Sequence, residues 1–92
     1  MKNALTTLPA DATDVEDFDA SAKAMDRGQR ARQIRQTRTK LGLSQVEFAS
    51  RFRVPVGTLR DWEQARATPP DFAIAYVQVI DQHPDLVAKA VA

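Results

Sequence analysis

The chain has 92 residues, with 13 Lys and Arg against 12 Asp and Glu, and no cysteine. This length suits one small domain, and the lack of cysteine excludes disulfides and thiolate metal sites. No apolar run approaches the roughly 18 residues of a transmembrane helix, and no charged-then-apolar start of a signal peptide is present. We therefore expect a cytoplasmic protein.

The net charge of +1 conceals three regions of different sign. Residues 1–25 carry two Lys against five Asp and Glu, a net charge of −3. Residues 26–66 carry ten Lys and Arg against four Asp and Glu, a net charge of +6, and residues 67–92 carry a net charge of −2. A basic central segment is what phosphate neutralisation requires, although a solvated Arg-rich helix would show the same run of charge.

Residues 1–25 are predicted to form a disordered acidic arm, because Asp, Thr and Pro are frequent and no apolar period is sustained. A short helix from Val15 to Met25 is compatible with the same sequence. The apolar residues of the arm are spaced to dock into a groove on a partner protein: Leu5, Leu8, Val15 and Phe18. The alternative is an inert solubilising tail, since disorder is common at chain ends.

Residues 26–92 are predicted to form one helical domain. Its first helix is expected from Asp26 to Lys40, with Ala31 and Ile34 on the face that continues to Leu41. Gly42 is a natural stop, because glycine readily adopts the left-handed conformation that follows a helix end.

The stretch from Leu43 to Glu63 predicts two short helices joined by a tight turn. Ser44 is a good N-cap, and Glu47 three residues later completes a capping box. Leu43 can pack on Phe48 as a hydrophobic staple. Two helices in this arrangement form a helix-turn-helix, which places its second helix in the DNA major groove. Residues 26–92 are therefore the predicted DNA-binding and dimerisation domain.

Each of these two helices has its own apolar stripe. Phe48 and Phe52 lie four residues apart on the first helix, beside the small Ala49 where another helix can approach closely. On the second helix, Leu59 and Trp62 are three apart and are expected to be buried. The residues left to face outward are Thr58, Arg60 and Asp61.

A fourth helix is predicted to begin near Thr68, which can cap it, with Pro69 in the first turn and Asp71 favourable to the helix dipole. Its core-facing stripe is expected to comprise Phe72, Tyr76, Val79 and Ile80. Pro84 after His83 ends this helix and opens a short fifth one. The apolar residues of that last helix with the least to pack against are the predicted dimer contacts: Leu86, Val87 and Val91.

The segment resembles the phage-repressor and Cro-like (XRE-type) family of helix-turn-helix proteins, in particular the HigA-type antitoxin regulators. The resemblance rests on L-G-L-S-Q (41–45), F-A (48–49), V-P (54–55) and T-L-R-D-W-E (58–63), and covers residues 30–80. It implies a compact, all-α, five-helix domain of the Cro/repressor type. Arg53 and Ala65 depart from the family, which usually has glycine at both positions. Each is expected to cost about 1 kcal/mol if the backbone there is left-handed.

The resemblance also implies which residues contact DNA. The helix from about Pro55 to Gln64 is the recognition helix, and the positions that point into the major groove are Val56, Gly57, Thr58 and Asp61. Gln45 matches a residue that anchors the DNA backbone or a base edge. By its own chemistry Arg60 is the strongest candidate for a guanine or a phosphate. Arg53 and Arg66, which flank the helix, fit phosphate contacts.

One further pair is implied by the resemblance. An arginine at the position of Arg38 pairs in the family with a glutamate at that of Glu63, which would tie the first helix to the recognition helix. From spacing alone, Arg38 on a phosphate-facing surface is an equal alternative.

Nothing in the sequence indicates an enzyme, a cofactor or a metal site. His83 is the only histidine, and metal or acid–base sites need clustered partners. The three glycines are isolated, so no phosphate-cradling loop is present. The acidic residues of the arm lack the glycine and terminal glutamate of a calcium loop.

Three functions remain open. The first is a DNA-binding repressor that is the antitoxin of a type II toxin–antitoxin pair, represses its own operon as a homodimer on a pseudo-palindromic operator, and neutralises a small basic toxin. The N-terminal arm is the expected toxin-binding segment, with the helical body as the alternative. The second is a stand-alone phage-like or housekeeping repressor without a toxin. The third is an interaction adaptor that kept the fold but lost sequence-specific DNA binding.

Overall fold

The computed structural model describes the backbone of residues 10–92 and the side chains of residues 21–92. The described residues form five α-helices and no strand, which confirms the all-α, five-helix fold. The helices, in chain order, are α1 (Ala10–Lys40), α2 (Gln45–Phe52), α3 (Val56–Glu63), α4 (Asp71–Gln82) and α5 (Pro84–Ala90).

Helix α1 begins well before the predicted start at Asp26 and runs without a break through Val15–Met25. The sequence A-S-A-K-A-M before Asp26 consists mostly of strong helix formers, which extend the helix without tertiary support. Side chains 21–26 are exposed, and packing against the rest of the domain begins at Arg27. The domain boundary at residue 25 therefore stays a prediction.

The four predicted partner-binding residues of the arm are not described in full. Leu5 and Leu8 lie outside the described residues. Val15 and Phe18 lie within α1, in the part of the helix whose side chains are not described.

The predicted signals between α1 and α2 are confirmed. Gly42 has a φ of 71°, the left-handed conformation that ends α1. Ser44 Oγ accepts a hydrogen bond from the Glu47 N–H at 3.0 Å, and Glu47 Oε1 accepts one from the Ser44 N–H at 2.8 Å. The bond from the Ser44 N–H lowers the pKa of the Glu47 carboxyl, because it favours the ionised form.

The two residues that replace the family's glycines both have left-handed backbone. Arg53, at the end of α2, has a φ of 62°, and Ala65, just after α3, has a φ of 58°. Only glycine adopts this region without a steric penalty, so both positions carry the strain expected from the sequence. The helix-turn-helix forms nonetheless. The N–H of Val54, next to Arg53, donates to the Ala49 carbonyl at 3.0 Å and closes the turn.

The core takes at least one buried side chain from every helix. Phe48 and Phe52 lie at its centre with ring centroids 4.8 Å apart. The other buried members are Ile34 from α1, Ala49 from α2, Leu59 from α3, Val77 and Ile80 from α4, and Val87 from α5. Leu43 packs against this cluster, as predicted for the staple.

The predicted core-facing stripe of α4 is confirmed at Ile80 but is wrong at Phe72 and Val79. Its buried face consists of Ala73, Val77 and Ile80, whereas Phe72 is 76% exposed and Val79 is 49% exposed. Both patterns repeat at helical spacing, so periodicity could not distinguish them. Packing places the small Ala73 inside and leaves the large Phe72 outside.

The predicted cap of α4 is also wrong, since Thr68 is exposed and the helix begins at Asp71 with Pro70 as N-cap. The start of α4 is instead fixed from α1. Arg30 donates to the Pro69 carbonyl at 2.9 Å and to Asp71 Oδ1 at 2.8 Å. The predicted break at His83 and the start of α5 at Pro84 are confirmed.

Replacement of Ala65 by glycine tests the strain at the end of α3. We expect Ala65→Gly to raise the free energy of unfolding by about 1 kcal/mol, because glycine removes the left-handed penalty. Ala75→Gly in the exposed middle of α4 is the matched control and should lower it by about 1 kcal/mol. Urea denaturation measures both. A destabilising Ala65→Gly would contradict the assignment.

Candidate nucleic-acid interface

Helix α3 buries one face and presents the other to solvent. Leu59 and Glu63 are buried, and Trp62 is half-buried beside them. At 100° per residue, the opposite face is centred on Gly57 and Asp61. Arg60 lies on one flank of that face and Thr58 on the other. The geometry is that of a helix-turn-helix whose second helix has an accessible outer surface.

A buried ion pair connects α1 to the end of α3, as the family resemblance implied. Arg38 Nε lies 2.7 Å from Glu63 Oε2, and Arg38 Nη2 donates to Glu63 Oε1 at 2.8 Å. The Glu63 side chain is only 2% exposed. The bonds to Glu63 raise the pKa of Arg38, and the bidentate geometry holds α3 at a fixed angle to α1.

Gln45 forms the third member of this cluster. Its amide Nε2 donates to Glu63 Oε1 at 3.1 Å, so the residue predicted to anchor DNA makes an internal hydrogen bond. Arg38 Nη1 also donates to the Leu43 carbonyl at 3.0 Å. The cluster therefore joins α1, the start of α2 and the end of α3.

Three further arginines of α1 bind backbone carbonyls at the end of α3 and in the segment that follows it. Arg35 donates to the Glu63 carbonyl at 2.6 Å, Arg27 to the Ala65 carbonyl at 2.9 Å, and Arg30 to the Pro69 carbonyl at 2.9 Å. The sequence grouped these arginines with the basic DNA-binding surface. Their spacing along one helix face was the signal that a second, structural use was present.

The predicted DNA-binding residues that belong to α3 differ in how free their side chains are. Arg60 is exposed. A Cβ added at Gly57 would meet nothing within 4 Å, so no internal packing requires glycine there and the backbone is open to close approach. Val56 packs partly against the core. Thr58 is half-buried.

The two flanking arginines make internal contacts in this structure. Arg66 Nε lies 3.1 Å from Asp61 Oδ1, and both side chains are at least half exposed. Arg53 Nε donates to the Val91 carbonyl at 3.0 Å, which ties the end of α2 to the end of α5. Arg66 therefore offsets the negative charge of Asp61 on the outer face of α3.

The start of α3 adds backbone donors to this face. Pro55 is its N-cap, and no side chain caps the helix. The N–H groups of its first turn are thus left without side-chain partners, the arrangement that favours an anion such as a phosphate.

The predicted dimer residues of α5 do not share one surface. Leu86 is 64% exposed and Val91 is half-buried, but Val87 is 7% exposed and belongs to the core of its own chain. Val87 packs inward because α5 has α2 and α4 to bury against. It therefore offers no surface to a second copy.

The described residues offer neither a metal-binding cluster nor a membrane-spanning helix. No group of three or more His, Cys, Asp or Glu residues there is arranged to hold a metal ion. No helix in the same part of the chain is long and apolar enough to cross a membrane.

Comparison with known proteins gives two matches. A sequence model of the family described as the antitoxin component of a bacterial toxin–antitoxin system, MqsA, matches residues 9–90. The crystal structure of an HTH XRE-family like protein from Agrobacterium tumefaciens is similar, with 43% sequence identity, a TM-score of 0.63, and coverage of 65% of this chain and 97% of that chain. No curated protein matches significantly. These findings confirm the XRE-type, antitoxin-like resemblance drawn from residues 41–63.

Breaking the buried ion pair from one side tests its role. We expect Arg38→Met to lower the free energy of unfolding by about 3–5 kcal/mol, because it leaves the Glu63 carboxylate buried without a charged partner. Replacing both residues by methionine should recover most of that loss. The exposed Asp61 pair is the control, since Asp61→Asn should change stability by less than about 1 kcal/mol. Equal losses in Arg38→Met and Asp61→Asn, measured by urea denaturation, would contradict this role.

Proposed function

Since the chain belongs to the MqsA family of antitoxin components, we propose that it is a DNA-binding transcriptional repressor and the antitoxin of a type II toxin–antitoxin pair. It would repress its own operon as a homodimer and neutralise a small basic toxin. The family match supports the antitoxin role. The observation that carries DNA binding is the outer face of α3, held by the buried Arg38–Glu63 pair and flanked by arginines.

In this proposal α3 enters the major groove from its N-terminal end. The uncapped N–H groups of its first turn bind a phosphate, and Gly57 lets the backbone approach closely. Arg60 reads a guanine or holds a phosphate, and Thr58 donates to a base or phosphate. Asp61 accepts from a cytosine amino group once Arg66 swings from it to the DNA backbone.

Two other residues of the predicted site would contribute less to DNA contact. Val56 has a partly buried side chain, so its contact with a thymine methyl would use only the exposed portion. Gln45, bonded to Glu63, orients the start of α2 against the DNA backbone. With few free amide or arginine groups on α3, specificity per half-site is modest, and DNA shape and dimerisation supply the remainder.

Neutralisation of the toxin is proposed to use the acidic arm, residues 1–25. Its net charge of −3 complements a basic RNA- or DNA-binding cleft, and its apolar anchors would be Leu5, Leu8, Val15 and Phe18. The first described side chains of α1, residues 21–26, are exposed and contribute nothing to the core, so this segment is available to a partner. A stand-alone repressor without a toxin is the alternative.

Removal of Arg60 tests the DNA-binding half. We expect Arg60→Ala to weaken binding to the DNA upstream of its own operon by roughly 5- to 150-fold, the effect of losing a contact of about 1–3 kcal/mol. Lys89→Ala on α5 is the control for a lost positive charge away from α3 and should leave affinity nearly unchanged. Fluorescence anisotropy at fixed salt concentration measures both. Unchanged affinity in Arg60→Ala would remove this residue from the site.

Deletion of residues 1–22 tests the antitoxin half. The full chain and the truncated chain are each co-expressed with the product of the neighbouring reading frame and purified through a tag on that product. We expect a tight complex that requires the arm, with DNA binding by the truncated chain as the check on its fold. A complex indifferent to the arm would move the toxin site to the helical body. No complex with either chain would favour the stand-alone repressor.

A further inference from the structure

An apolar groove of about 560 Å³ lies between the helix-turn-helix and α4. Its walls include Val54 and Pro55 from the turn, Trp62 from α3, and Tyr76 from α4. Phe72 stands at its rim with 76% of its surface exposed, the largest exposure of any large apolar residue described. We propose that this groove is the dimer interface and receives Phe72 of a second copy of the chain. The inference rests on the proposed function only in that a two-fold dimer is the form expected to bind an operator.

The patch has both halves of a self-complementary contact. In a two-fold dimer the same surface meets itself, so each copy must offer a projection and a recess on one face. Phe72 is the projection, and the groove beside it is the recess. Each copy would therefore insert one phenylalanine and receive one.

Charge at the two ends of the groove favours the same arrangement. Arg53 lies at the end formed by α2, where Tyr76 OH donates to the Phe52 carbonyl at 2.8 Å. Asp71, with 93% of its side chain exposed, lies one turn of α4 away beside Phe72. A two-fold axis brings opposite ends together, so the arginine of one copy faces the aspartate of the other. Each of these side chains keeps a bond within its own chain, Arg53 to the Val91 carbonyl and Asp71 to Arg30, so this exposed contact orients the two copies and adds little to affinity. No charged residue stands on α4 between Phe72 and Ile80, so the middle of the interface is neutral.

The apolar surface extends along α4. Ala75 and Val79 are exposed and follow Phe72 at i+3 and i+7, on one face of the helix. Two phenylalanine side chains alone bury about 300–500 Å². That is about a third of the ~1,200 Å² at the lower limit of a specific interface, which leaves the remainder to the groove walls and Val79.

The position of the groove links dimerisation to the proposed DNA contact. Trp62 of α3 forms one of its walls, on the flank of α3 opposite to Arg60, and Thr58 lies at the edge of the groove between Trp62 and the proposed DNA-facing side. A second copy seated there would fix the separation of the two α3 helices, which two half-sites one helical turn apart require. An interface through Leu86 on α5, the contact expected from the sequence, lies away from α3 and would set that separation less directly.

Trp62 is the only tryptophan of the chain and lies in the groove, so its fluorescence reports directly on this surface. The full chain and its Phe72→Glu and Leu86→Glu variants are examined by analytical ultracentrifugation and by Trp62 emission across a dilution series. We expect a dimer whose Trp62 emission shifts to longer wavelength as it dissociates. Phe72→Glu should raise the dimer dissociation constant by about thirtyfold or more, the effect of losing a central aromatic anchor. Leu86 is exposed to a similar extent, and Leu86→Glu should leave the dimer dissociation constant unchanged.

Three outcomes would overturn the proposal. The first is a dimer that persists in Phe72→Glu but is lost in Leu86→Glu. The second is a wild-type chain that is monomeric at every concentration. The third is a Trp62 emission that changes only when the neighbouring gene product is added. Circular dichroism of Phe72→Glu checks its fold, and Phe72→Ala, which places no charge in the groove, should weaken the dimer in the same direction.

DNA binding by the wild-type chain is measured separately. Its failure would reject the proposed function, whereas failure of the dimer assay alone would reject only this interface.

Discussion

The buried Arg38–Glu63 pair is the contact on which the orientation of α3 depends. A carboxylate with 2% exposure is costly without a partner, and here it is satisfied by two bonds from Arg38 and one from Gln45. Because these partners come from α1 and from the start of α2, the three helices are held in one geometry at a single point. Apolar packing around Phe48 and Phe52 supplies cohesion, but it fixes angles less strictly than directed, bidentate hydrogen bonds do.

The arginines of α1 extend this role along the chain. Those that bind the carbonyls of Glu63, Ala65 and Pro69 hold the segment between α3 and α4, which contains the strained Ala65 and has no regular structure of its own. Much of the net charge of +6 in residues 26–66 is therefore used inside the domain. The proposed DNA surface relies on fewer free cations than composition suggests, so we expect its affinity to depend less steeply on salt than the composition alone would imply.

The segment between α3 and α4 also determines which face of α4 is exposed to solvent. Once Arg30 fixes Pro69 and Asp71, the helix starts with Ala73 facing inward, and Phe72 is left at the rim of the groove beside α3. The rotation of α4 about its axis thus places the exposed Phe72 ring next to the apolar groove. The proposed DNA-reading helix and the proposed dimer surface share α3, so assembly and operator geometry would be coupled through one element.

The sequence by itself determined the local elements. Gly42, the Ser44–Glu47 capping box, the Phe48–Phe52 stripe and the His83–Pro84 break act within a few residues, so their effects are visible in order along the chain. Family resemblance added the Arg38–Glu63 pair and the left-handed positions at Arg53 and Ala65. Only the tertiary structure decided the rotation of α4, the burial of Val87 and the internal bonds of the α1 arginines. The arginine bonds reach partners 28 to 41 residues away in the chain, and the buried faces of α4 and α5 are set by contacts with the helices that precede them. Helical periodicity carries no information about such contacts.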